Sequence, residues 1–211
     1  IKTMNHIHIV RENHDKTYLT SLEESGVAIV PTVLIEQESQ IPLVDVLATQ
    51  HWQEVVIKPS VSMSSFETWK FGRNEAPEYE DAFGQIKSKS CALVQEFVQE
   101  IEGGGELSLV FVEGQLTHTL RKVAKRGDFR VQSEYGGITE KIEPDDWIVE
   151  QAKNALAIAA PDYHFARVDG VVRGEQFLIM ELELIDPELY FEKAPESAKS
   201  IVSATKAFLS Q

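Results

Sequence analysis

The hydrophobic pattern changes period several times along the chain. In NHDKTYLTSLEESG, Tyr18, Leu19 and Leu22 fall on one helical face, Asn13 or Asp15 supplies a cap and Gly26 a stop, so the stretch predicts a helix. VAIVPTVLI then predicts a strand, and EVVIKP a short buried strand ended by Pro59. SVSMSSFET is a small-residue loop that leads into another strand, TWKF. A helix over about Glu78 to Ile86 and a strand in CALVQEFV follow. Three consecutive glycines in QEIEGGGE break the pattern and mark a hinge, with the boundary placed near Glu96. Beyond it, LSLVFVEGQLTHTL predicts a hairpin around Glu113 and Gly114, DDWIVEQAKNALAIAA a helix, HFARVDGVVRGEQFLIMELELI a second hairpin, and APESAKSIVSATKAFLSQ a closing helix. The pattern is α+β in both halves, with residues 1–13 as a remnant of an upstream domain or a linker, 14–95 as a first subdomain and 96–211 as a second.

The second hairpin raises a chemical question. Along FLIMELELI, Leu178, Met180, Leu182 and Leu184 share one face, and Phe177, Ile179, Glu181 and Glu183 the other. In the preceding strand Ala166, Val168, Gly170 and Val172 oppose Arg167 and Asp169. Aligning the two apolar faces requires an odd-length turn, such as Arg173-Gly174-Glu175, which sets Asp169 opposite Ile179 and beside Glu181. Three carboxylates then share one surface, where their repulsion is costly unless a cation sits among them. Hard oxygen ligands of this kind suit Mg²⁺ or Mn²⁺. The solvated outer face of an antiparallel sheet gives the same pattern.

Composition narrows the classes. The 211 residues are 43% hydrophobic, enough for a real core, and a formal net charge of −14 has the wrong sign for wrapping nucleic acid or binding anionic lipid. An anionic ligand would therefore have to meet a local group of cations. Lys58 ends a strand just before a small-residue loop that could bring backbone N–H groups to a phosphate, although a solvated edge charge looks the same. Lys16, Arg121, Lys122 and Arg130 are further cations in or beside turns, and His118 reads as a hydrogen-bonded sheet histidine rather than a ligand. Cys91 is the single cysteine, which rules out an internal disulfide and suits a reducing, cytoplasmic setting. No apolar run has the length of a membrane span, and no secretory leader opens the chain. The start at Ile1 suggests a processed or truncated product.

Read in order, NHDK, VVIKPS, LVQEFV, GGELSLVF, RGDFRVQSEYGG, FARVDGVV and IMELELIDPEL resemble the ATP-grasp ligases over nearly the whole chain. The glutathione-synthetase-like and RimK-like members, and the subgroup that includes the cycloserine-forming cyclo-ligase, are nearest in character. The resemblance implies an ATP-grasp fold of two α+β subdomains with the nucleotide cleft between them. It implies that Lys16 and Lys58 contact ATP phosphates, that Gln95, Glu96, Phe97 and Val98 form the hinge whose backbone reads adenine, and that Glu106 joins the ATP-binding set. Asp169, Glu181 and Glu183 would hold the metal, while Arg130, Lys122 and Arg167 would lie near the transferred phosphate or the acyl substrate. Many relatives have Asn at the last ligand position, here Glu183, and Pro187 lies one residue further on than usual.

The implied reaction is ATP-dependent joining of a small carboxylate to an amine through an acyl phosphate, with ADP and phosphate released. A nucleotide-binding domain that has lost catalysis and serves an interaction or regulatory role is the alternative, and hydrolysis by paired carboxylates without ATP is a third. Relatives normally carry an amino-terminal domain ahead of NHDK, so the stretch present could bind nucleotide without turning over a substrate. The substrates and the product type are not disclosed by the sequence, and a homo-oligomer stays open. The SVSMSSFET loop is expected to be a mobile lid, because it offers few apolar anchors.

Overall fold

The computed structural model describes residues 2–63, 65–125 and 136–210. The chain divides into two compact units: unit 1 takes Ile1–His14, Leu22–Ile29 and Gln99–Gln211, and unit 2 takes Asp15–Ser21 and Val30–Val98.

Unit 2 is built on a four-stranded antiparallel sheet in the order β1 (Thr32–Ile35), β4 (Ala92–Glu96), β2 (Glu54–Pro59), β3 (Trp69–Gly72). Alternation is clear in β2, where Val55, Ile57 and Pro59 are buried and Glu54, Val56 and Lys58 are half-buried. The apolar face packs with α3 (Leu43–Ala48), a 3-10 turn over Arg73–Tyr79 and α4 (Glu80–Lys87), through Leu43, Val46, Leu47, Ala76, Phe83 and Ile86. Two expectations change here. VAIVPTVLI contributes only β1 to this sheet, because Pro31 has no N–H for a ladder; its carbonyl instead accepts from Glu96 N at 3.0 Å. The helix expected from Glu78 starts at Glu80, since Pro77 belongs to the tighter 3-10 turn ahead of it. The short α3 was not legible, its six residues being too few to show a helical period.

Unit 1 carries a five-stranded antiparallel sheet in the order β7 (Ile138–Ile142), β6 (Gln115–Val123), β5 (Glu106–Val112), β8 (Phe165–Arg173), β9 (Gln176–Glu183). Central β5 is buried along its whole length. Helix α6 (Asp146–Ala159) packs on β9 and α7 (Ala198–Leu209) on β5. Both expected hairpins form, the first turning at Glu113 and Gly114, whose φ angles of 48° and 73° suit a two-residue hairpin loop. The helix expected over NHDKTYLTSLEESG is two helices, α1 (Ile7–Asn13) and α2 (Tyr18–Glu24). Asp15 Oδ1 accepts from Thr17 N at 3.0 Å in the turn just ahead of the second, and Asn13 is the last residue of the first.

The second hairpin corrects the expected register. Arg173 pairs with Gln176, so the turn holds two residues, Gly174 and Glu175, rather than three. A bulge between Asp169 and Gly170 then inserts Met180 as an extra residue of β9, and Asp169 comes to lie opposite Glu181 instead of Ile179. The bulge performs the face change that was assigned to the turn. Phe177 and Ile179, expected to share the acidic face, are 1% exposed, and the peptide N–H of Phe177 is held by Gln151 Oε1 of α6 at 2.7 Å. Gly170 allows this crowding, since a Cβ there would stand 2.6 Å from Leu178 O and 2.7 Å from the Phe177 ring. Gly170→Ala should therefore destabilise the protein by about 1–3 kcal/mol in urea melts, and an unchanged midpoint would show that the bulge relaxes freely.

Candidate functional site

A row of charged side chains crosses one face of the unit 1 sheet. Glu106 and Ser108 come from β5, Lys122 from β6, Arg167 and Asp169 from β8, and Glu181 and Glu183 from β9. Antiparallel register places Ser108 opposite Asp169, and Asp169 in turn opposite Glu181, while Arg167 lies across from Glu183. Asp169 is the hub, at 4% exposure. Its carboxylate accepts from Arg167 Nε at 3.0 and 3.2 Å, from Arg167 Nη2 at 2.8 Å, from Ser108 Oγ at 2.5 Å and from Lys122 Nζ at 3.5 Å. Arg167 Nη2 also donates to Glu183 Oε1 at 2.5 Å, and its Nη1 to the Glu188 carbonyl at 3.0 Å. Tyr190 covers the guanidinium, 5.6 Å from ring centre to Cζ. Lys122 is ion-paired with Glu106 as well.

The cation expected among these carboxylates is thus in part supplied by the chain: Arg167 stands between Asp169 and Glu183. Burial works against the charge on Asp169, yet the charges of Arg167 and Lys122 and the hydrogen bonds hold its carboxyl well below the usual range. Burial likewise opposes the charge on Lys122, but Asp169 and Glu106 keep the ammonium firmly protonated. Glu106 is pushed up by burial, with the charge of Lys122 opposing the shift. Glu183 is pushed up to about 8, first by burial and then by the negative charge of Asp169, with Glu181 adding to it and Arg167 opposing.

These shifts bear on a divalent metal. Among the described residues no group of three or more His, Cys, Asp and Glu stands ready as a metal cage, because Asp169 and Glu183 are turned to Arg167. The donor chemistry nevertheless fits: hard carboxylate oxygens lie on adjoining positions of one face.

Unit 2 holds the other expected residues. Lys58 is a half-buried residue of β2, opposite Leu93. Lys16 is buried and donates from Nζ to the Ser62 carbonyl at 2.5 Å, while its own N–H donates to the Ser60 carbonyl at 2.8 Å. The neighbouring Met63 and Phe66 are exposed rather than packed in the core. Gln95 is buried, donating to Thr32 Oγ1 at 2.7 Å, and Lys70 Nζ lies 3.4 Å above the buried Phe97 ring. The N–H groups of Glu96 and Phe97 donate to Pro31 and Glu54 carbonyls, so a base-reading role would fall to other groups of Gln95–Val98. Arg130 lies outside the described residues. His118 is a hydrogen-bonded sheet histidine, as expected, with Nε2 2.9 Å from the Leu189 carbonyl and Nδ1 2.9 Å from Thr117 Oγ1. Two participants were missed: Ser108, quoted within GELS but given no role, and Tyr190, whose place over Arg167 depends on a loop that has no periodicity to read.

One unit thus carries a five-stranded antiparallel sheet with a charged row, and the other the buried Lys16 and the half-buried Lys58. Residues 22–189 match the RimK-like ATP-grasp domain, and the chain belongs to that family. It is 26% identical over 211 residues to the cycloserine biosynthesis protein DcsG of Streptomyces lavendulae, covering 93% of this chain and 70% of the relative. The crystal structure of D-cycloserine synthetase DcsG superposes with a TM-score of 0.82 at 23% identity, covering 96% of this chain and 73% of that one. The D-alanine–D-alanine ligase of Bacillus anthracis gives a TM-score of 0.70 at 14% identity, covering 96% and 68%. The ATP-grasp ligase PsnB, complexed with a precursor variant, Mg and ADP, gives 0.68 at 16% identity, covering 95% and 61%. These likenesses establish the ATP-grasp fold and the α+β class. Among the described residues no helix is long and apolar enough to cross a membrane.

Proposed function

We propose that this chain carries the nucleotide-binding and catalytic groups of an ATP-dependent carboxylate–amine ligase. The observation that carries the reading is the convergence of two buried cations, Arg167 and Lys122, on Asp169, with Glu181 and Glu183 on the adjoining strand. Buried, fully charged donors that are already oriented are what transfer of a phosphoryl group needs, because they stabilise developing charge without reorganising. A substrate carboxylate oxygen would attack the γ-phosphorus as its bond to the ADP oxygen breaks. The amine would then attack the acyl carbon, forming the C–N bond and expelling phosphate.

Lys122 and Arg167 would meet the transferred group, helped by Arg130, and Lys16 and Lys58 the remaining phosphates. The Gln95–Val98 stretch would receive the base. Glu106 would act through Lys122, whose ammonium it pairs. Asp169, Glu181 and Glu183 would hold Mg²⁺ or Mn²⁺, which when bound neutralises phosphate charge.

The relatives support the reading in kind: by their descriptions one is a D-alanine–D-alanine ligase and another an ATP-grasp ligase complexed with Mg and ADP. The test is release of ADP in the presence of panels of small carboxylates and amines, with hydroxylamine added to trap an acyl phosphate. Carboxylate-dependent ADP release and a hydroxamate are expected. Tight ATP binding with no ADP release from any pair would favour a non-catalytic nucleotide-binding role instead.

A further inference from the structure

We propose that Asn13 is a positioning residue for Glu183, acting through the backbone of β9. The strand ends at Glu183, and β9 is the outermost strand of its sheet; among the described residues its edge away from β8 meets an isolated parallel bridge of Ile29 with Ile179 but no further strand. Terminal residues of an edge strand fray unless their N–H and C=O groups find partners. Here an asparagine side chain supplies partners on both sides of Glu183. Asn13 Nδ2 donates to the Leu182 carbonyl at 2.8 Å, and Asn13 Oδ1 accepts from the Leu184 N–H at 3.0 Å. The two bonds bracket Glu183, and a primary amide is the side chain that supplies donor and acceptor together, imitating the peptide of a neighbouring strand.

A second asparagine extends the seam. Asn5, 2% exposed, donates from Nδ2 to the Leu184 carbonyl at 2.7 Å and to the Phe165 carbonyl at 2.8 Å, and its Oδ1 accepts from His164 N at 2.8 Å. The end of β9 is thereby tied to the start of β8. Immediately beyond, Ile185 is 40% exposed, so the order imposed at Leu184 is not continued by burial. Asn13 lies in the NHDK stretch, where it reads as a helix cap; its amide is used instead to hold the backbone on either side of the acid that meets Arg167. Because Glu183 occupies the last strand position, freeing Leu182 and Leu184 would let its carboxylate leave the row.

The inference rests on the ligase reading, in which Glu183 serves a metal–nucleotide complex. Two readouts separate the two. Amide hydrogen exchange of Leu184 reports the clamp directly, and the Mg²⁺ concentration giving half-maximal ATP binding reports its consequence. In Asn13→Ala, Leu184 should lose protection and the Mg²⁺ midpoint should rise about 10- to 100-fold, the range for supporting groups behind metal ligands. Asn13→Asp, which keeps the acceptor and loses the donor, should fall between and serves if the alanine variant does not fold. Leu156→Ala, in the fully buried face of α6, is the control for simple destabilisation: it should lower the melting temperature and leave the Mg²⁺ midpoint in place. An Asn13 variant whose midpoint matches that of Leu156→Ala would overturn the positioning role. A wild-type protein with a protected Leu184 amide but no metal-dependent ATP binding would overturn the ligase reading, and the positioning role with it, while leaving the clamp as a structural fact.

Discussion

Asp169→Ala is expected to lower stability by about 3–5 kcal/mol, because it leaves Arg167 and Lys122, 6% and 3% exposed, without their shared counter-charge. For a chain of this length that corresponds to a fall of roughly 6–20 °C in melting temperature. The physical point is asymmetry. A buried ion pair adds little over a well-packed apolar core, but removing one partner strands the other in a medium that cannot solvate it. Glu106 remains beside Lys122 and Glu183 beside Arg167, but burial pushes both carboxyls up, so the loss falls on both cations. The double variant Asp169→Ala, Arg167→Met should accordingly recover part of the loss, since it removes the stranded cation too. Urea unfolding of the single and double variants decides the matter: a loss under about 1 kcal/mol in the single variant would show that water already reaches the cluster.

The second large effect is on turnover alone. Glu181→Gln keeps the shape of the side chain opposite Asp169 while removing one of the charges that hold Glu183 up. The fold should stay as stable or become slightly more so, and the pKa of Glu183 should move down toward the ordinary carboxylate range. On the proposed reaction the same change removes negative charge from the cation site, and kcat should fall about 10²- to 10³-fold. Steady-state kinetics with a thermal melt of the same sample separates the two. A variant that loses activity and stability together would point to a structural role, and one that loses neither would place Glu181 on a solvated sheet face.

Legibility in the sequence followed the strength of the local pattern. β5, β8 and β9, α6 and α7 stood out because their apolar residues repeat cleanly over eight or more positions or lie next to strong turn residues. α3 and β7 are too short for that. The carboxylate row was legible in identity, since Asp169, Glu181 and Glu183 alternate with apolar residues, but not in register. A bulge at Met180 leaves no mark on a two-residue period, and the expected odd turn placed the same face change at the wrong point. Arg167 could be placed on the Asp169 face, yet its position between two carboxylates depends on side-chain geometry across two strands. Asn13 illustrates the opposite limit: its local context suggested a cap, while its partners, Leu182 and Leu184, are some 170 residues away along the chain, beyond any local pattern.

The most direct test of the ligase reading is calorimetric titration of ATP into the protein with and without Mg²⁺, repeated with Glu181→Gln. The account predicts saturable one-site binding that strengthens with Mg²⁺ in the wild type and loses most of that dependence in the variant. A folded wild-type protein that takes up no ATP under either condition, or a variant whose magnesium dependence is unaltered, would contradict it.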